Sequence, residues 1–119
     1  MNSFKSILLT TVVAGVSLLA LSACDKCEGD NPRARVINQG TKDASVQIKT
    51  SNGNTENINN VPPKTTSAVR EYAAGTVTFT ITLDKTELVE TVQMNECHEY
   101  DITIASDNTI STTDRDLND

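Results

Sequence analysis

Three cysteines and one histidine are the side chains of this 119-residue chain best suited to chemistry. Cys24 and Cys27 fall in Cys24-Asp25-Lys26-Cys27, a spacing shared by redox dithiols and half metal sites. No helical pattern follows to lower a thiol pKa. Cys97 and His98 lie in Met94-Asn95-Glu96-Cys97-His98-Glu99, where a thioether, a thiol and an imidazole could gather round a soft metal. Adjacent residues of a strand point to opposite faces, however, so Cys97 and His98 do not easily share one ion. His98 therefore reads as an exposed histidine at a hairpin end. Glu87 with Glu90, or Glu96 with Glu99, could supply paired carboxylates for glycoside chemistry, but no aromatic side chain accompanies them to stack a sugar, and they read as surface charge. Asp114-Arg115-Asp116-Leu117-Asn118-Asp119 alternates oxygen ligands like the start of a calcium loop. It lacks the glycine and the distal glutamate that complete one, and reads as a solvated acidic tail. There is no glycine-rich phosphate loop and no Gly-x-Ser-x-Gly elbow. The expectation is a protein with no catalytic residue, no metal and no cofactor.

The N-terminal segment has a different character. Lys5 is the only charged side chain before Asp25, and residues 7–23 are apolar apart from Thr10, Thr11, Gly15, Ser17 and Ser22. A positive n-region followed by an apolar h-region marks a secretory signal, and no stop-transfer cluster of Lys and Arg follows it. The segment ends in Leu21-Ser22-Ala23-Cys24, which resembles the lipobox of bacterial lipoproteins. That resemblance implies cleavage before Cys24 and lipid on Cys24, whose thiol takes up diacylglycerol, with palmitate as an expected acyl chain. The expected partner is then a membrane, reached through this lipid, and the expected location is the bacterial cell envelope. Asp25 resembles the inner-membrane retention signal of enteric bacteria. In other groups, acidic residues near this position accompany export to the cell surface, so the choice of membrane stays open.

With Cys24 given to lipid, Cys27 and Cys97 remain, and a disulfide between them is the expected pairing in an oxidising compartment. Loss of residues 1–23 removes one charge, Lys5, and takes the net charge from -6 to -7. An acidic chain of this kind is a poor partner for nucleic acid or for anionic lipid surfaces. Aromatic residues make up 3% of the chain and there is no Trp, which argues against sugar-stacking sites and aromatic hot spots.

What remains must position these groups with strands. Residues 34–38, 44–50, 55–61, 66–72, 76–83, 87–94, 97–105 and 109–113 are short runs rich in β-branched residues, separated by turn residues. In the best of them Val77, Phe79, Ile81 and Leu83 alternate with four threonines. Ser51-Asn52-Gly53-Asn54 is a strong hairpin turn, since Asn and Gly accept positive φ. The expectation is all-β: a small antiparallel β-sandwich of seven to eight strands over residues 34–113. A signal segment (1–23) and a lipidated tether (24–33) precede it, and a polar tail (114–119) follows.

This layout resembles a family of bacterial secreted domains of unknown function with a transthyretin-like or immunoglobulin-like sandwich. The matching positions are Arg35-Val36-Ile37-Asn38, Val46-Gln47-Ile48, Val61-Pro62-Pro63-Lys64-Thr65, Ala73-Ala74-Gly75-Thr76-Val77-Thr78-Phe79 and Tyr100-Asp101-Ile102-Thr103-Ile104. Ala73 stands where that family usually has Pro. The resemblance implies the sandwich and brings no catalytic residues. Together these readings lead to a non-enzymatic, lipid-anchored binding or structural module. An inhibitor or immunity lipoprotein that blocks a hydrolase is the alternative, with the Asn-rich stretch 51–60 as its inserting loop.

Overall fold

A computed structural model describes residues 27–118. The expected signal segment 1–23 and Cys24, the expected site of lipid attachment, lie outside these residues.

Alternation of apolar and polar side chains drives the architecture. The described residues form nine strands: β1 (Arg33–Asn38), β2 (Ala44–Lys49), β3 (Thr55–Val61), β4 (Thr65–Thr66), β5 (Arg70–Glu71), β6 (Gly75–Leu83), β7 (Thr86–Met94), β8 (His98–Ile104) and β9 (Ile110–Asp116). β6 buries Val77, Phe79, Ile81 and Leu83 completely or nearly so and turns its threonines outward. β2 buries Ala44, Val46 and Ile48, and β8 buries Tyr100, Ile102 and Ile104, in the same period of two. One sheet has the order β9-β8-β1-β4, with β5 also paired to β1; the other has the order β3-β2-β6-β7. Their inner faces close over one core, in which Tyr72 meets Phe79 edge-on, the ring centroids 6.2 Å apart. Burial pushes the Tyr72 phenol up to about 12, so it stays neutral.

The all-β sandwich stands as expected, with three differences of detail. First, β1 runs parallel to β8, with Val36 opposite Ile102, while every other pair is antiparallel. The two strands come from distant parts of the chain and no hairpin sets their relative direction. Second, the run 66–72 is split into β4 and β5. Ser67 exchanges bonds with Val36: the Val36 N–H donates to Ser67 Oγ at 2.9 Å, and the Ser67 N–H donates to the Val36 carbonyl at 2.8 Å. A hydroxyl standing in for a backbone carbonyl interrupts the ladder. Third, β9 continues to Asp116, into the expected tail, with Asp114, Arg115 and Asp116 opposite Tyr100, Glu99 and His98. Cross-strand charge pairs hold this end: Arg115 bonds Glu99, and His98 Nδ1 lies 2.9 Å from Asp114 Oδ2.

Candidate functional site

Two of the cysteines read from sequence as chemically capable, Cys27 and Cys97, meet at one end of the sandwich. The turn between β7 and β8 carries Cys97 at φ 61, a left-handed conformation that aims its side chain toward the incoming N-terminal segment. Cys97 is bonded to Cys27, their Cα atoms 5.7 Å apart across a sequence separation of 70. The expected disulfide is present, and Cys27 is engaged with Cys97 rather than with the thiol three residues before it.

Backbone bonds reinforce this joint. The Cys97 N–H donates to the Asp30 carbonyl at 2.9 Å, and the Leu117 N–H donates to the Cys97 carbonyl at 2.8 Å. The Cys27 N–H donates to Asn118 Oδ1 at 2.7 Å, and the Tyr72 N–H donates to the carbonyl of buried Pro32 at 3.0 Å. The segment 24–33, expected to be a short tether, is fastened from Cys27 onward, as a bridged Cys27 requires. Two residues, Asp25 and Lys26, separate that fastening from Cys24.

Neighbouring loops build the rest of this end. Ser51 Oγ donates to the Ala74 carbonyl at 2.7 Å and so ties the 51–54 hairpin to the turn before β6. Gly75 is required there: its φ is +125°, and a Cβ would stand 2.7 Å from Ser51 Cβ. The Asn95 N–H donates to Tyr100 Oη at 2.8 Å, which fixes the 95–97 turn. The side chains round the joint include Glu28, Asp30, Glu96 and Asp116, so this end is acidic.

The other residues considered for chemistry are placed apart or paired. His98 is half-buried rather than fully exposed, stacked on Tyr100 with centroids 6.0 Å apart and paired with Asp114. Glu99 faces Arg33 at 3.6 Å and also bonds Arg115, so its partners are arginines rather than Glu96. Glu87 and Glu90 are three apart on β7 and point to opposite faces. Glu90 accepts a bond from Thr112 Oγ1 at 2.6 Å. Among the described residues no group of three or more His, Cys, Asp or Glu is placed to hold a metal ion.

Two features were not read from sequence. One is a charge ladder on the outer face of the five-stranded sheet. The parallel register sets Arg33 against Glu99 and Arg35 against Asp101. Arg35 Nε lies 2.9 Å from Asp101 Oδ1, and Arg115 Nη1 lies 3.5 Å from Asp101 Oδ2. The hydrogen bond from Arg35 holds the Asp101 carboxyl below its ordinary range, against the opposing effect of burial. The second is an open depression of about 210 Å³ on the outer face of the four-stranded sheet. Ser45, Gln47, Asn57, Asn59, Thr80 and Glu87 line it, where the register of β2 and β3 shifts between Ala44 and Val46. The ladder depends on a parallel pairing that has no local signature. The depression depends on a bulge whose only trace in sequence is the adjacent pair Asn59-Asn60, which breaks the alternation begun by Asn57 and Ile58.

No protein-family model matches the chain, and no curated protein matches it in sequence. Among the described residues no helix is long and apolar enough to cross a membrane.

Proposed function

We propose that this chain is a bacterial envelope lipoprotein, held to a membrane by lipid on Cys24 and serving as a non-enzymatic binding or structural module. One observation carries the reading. The folded domain is fastened at Cys27, three residues beyond a cysteine that closes a lipobox-like Leu21-Ser22-Ala23-Cys24. An apolar N-terminal run that reads as a secretory signal stands directly before a disulfide of the kind an oxidising compartment favours, which supports an exported, anchored domain. The non-enzymatic part is supported by the state of the chemically capable side chains. Cys27 and Cys97 are bonded to each other, His98 is paired with Asp114, and Glu99 is held by arginines. The likeness to secreted sandwich domains without catalytic residues agrees with this.

The test is metabolic labelling with an alkyne-bearing fatty acid in a bacterial host, on the wild-type chain and on Cys24→Ser. Label and membrane association present in the first and lost in the second support the reading. Label retained by Cys24→Ser overturns it.

A further inference from the structure

We infer that the sandwich stands end-on at the membrane, with the end that carries residues 51–54, 73–75 and 95–97 against the lipid headgroups and the opposite end projecting into the aqueous space. The inference rests on the lipoprotein reading and adds an orientation to it.

The direction follows from the chain. Three Cα steps lead from Cys24 to Cys27, and an extended chain covers roughly 11 Å in that distance. Cys27 is fixed to Cys97, and Cys97 sits in the turn that opens β8. Both sheets bring strand ends together there, the starts of β1, β6 and β8 and the ends of β7 and β9. Arg33 of β1 lies beside Glu99 of β8, and Gly75 of β6 lies beside Met94 of β7. The 51–54 hairpin is tied to Ala73 and Ala74 by Ser51. The far end holds residues 39–43, 62–64, 84–85 and 105–108, the other set of connections between strands. The nine residues of β6 separate the two ends by roughly 25 Å at the usual rise per residue. The tether therefore reaches from the near end to the headgroups and falls well short from the far end.

Nothing on the flanks invites the domain to lie on its side. The outer face of one sheet carries the paired charges of Arg33, Arg35, Glu99, Asp101 and Arg115, which water solvates better than lipid. The outer face of the other is a field of Thr, Ser, Asn and Gln with Glu87 among them. The two large exposed apolar side chains among the described residues, Val89 on β7 and Val69 between β4 and β5, belong to different sheets and form no patch. The acidic near end has no electrostatic attraction for anionic lipid either. Contact is enforced by the covalent tether, so it does not depend on salt. In this orientation the Asn-rich hairpin faces lipid, and the 39–43, 62–64 and 105–108 loops face whatever lies beyond the membrane.

The experiment uses the full chain, extracted from host membranes and reconstituted in phosphatidylcholine vesicles that contain a headgroup nitroxide lipid. Asn54→Cys at the near end and Lys85→Cys at the far end, both exposed, each supply one reactive thiol for a fluorophore. Quenching at position 54 and its absence at position 85, unchanged by high salt, are expected. Equal quenching at both positions, or stronger quenching at 85, overturns the orientation. Mass spectrometry of the same preparations separates the two layers. A chain without lipid on Cys24 overturns the lipoprotein reading and the orientation together, whereas a lipidated chain with equal quenching overturns the orientation alone.

Discussion

Cys97 grips Cys27 through a disulfide and Asp30 through its own N–H, so the start of the described chain is fixed to the turn that opens β8 at two points three residues apart. Removing the disulfide frees a loop of 70 residues in the unfolded chain. Chain-entropy reasoning puts its contribution at about 4 kcal/mol, acting through the unfolded state. The double variant Cys27→Ser, Cys97→Ser is expected to melt on the order of 15 °C lower than the wild type. Its far-ultraviolet circular dichroism should stay that of a β protein, and its membrane association should be unaffected. An unchanged melting temperature would mean that the bridge does not stabilise the fold.

Asn38 is the buried polar group on which the far end depends. It is fully buried; its Nδ2 donates to the Lys42 carbonyl at 2.7 Å and the Val61 carbonyl at 2.8 Å, and its Oδ1 accepts the Gly40 N–H at 2.9 Å. Asn38→Ala leaves those backbone groups without partners, at a cost of about 3 kcal/mol. Asn38→Asp keeps the acceptor and loses both donors, and should be at least as damaging. Urea titration measures both: the midpoint should fall while the slope holds. A midpoint within error of the wild type for Asn38→Ala would show that water replaces these bonds freely.

Asp101 gives the fold an acid-sensitive component. The Arg35 hydrogen bond holds its carboxyl below the ordinary 3.8. A carboxyl depressed on folding contributes stability that is complete above its unfolded value and disappears as pH falls through its folded value. The loss therefore begins near pH 4 and deepens below it. Asp107, lowered by the Thr109 hydroxyl, acts in the same window, so wild type alone does not isolate Asp101. Asp101→Asn should be less stable than wild type at pH 7 and should lose less on going from pH 5 to pH 2.5. Parallel pH profiles for the two proteins would remove Asp101 from the acid response.

Much of the fold was legible because the decisive pattern is local. Val77, Phe79, Ile81 and Leu83 alternate with threonines and could lie only on one face of a strand, and the structure buries all four. Asn and Gly at residues 52–54 mark their hairpin for the same reason. The disulfide was legible by elimination among three cysteines. The parallel β1–β8 pairing was not, because nothing in 33–38 or 98–104 encodes direction relative to a strand some sixty residues away. The charge ladder was hidden with it, since Arg35 and Asp101 become neighbours only through that pairing. Asp114 to Asp116 look like a solvated tail in isolation and become strand residues only when Glu99 and His98 lie opposite. Ser67 gives no warning that its hydroxyl will replace a carbonyl in the ladder.

The most direct measurement of the central claim is the intact mass of the protein extracted from the membranes of a bacterial host, with a fragment spectrum of its N-terminal peptide. The expected result is a mature chain that begins at Cys24, carries diacylglycerol on its sulfur, and is two hydrogens lighter than its reduced form for the Cys27–Cys97 bond. A chain that retains residues 1–23, or one that begins elsewhere with an unmodified Cys24, would contradict it.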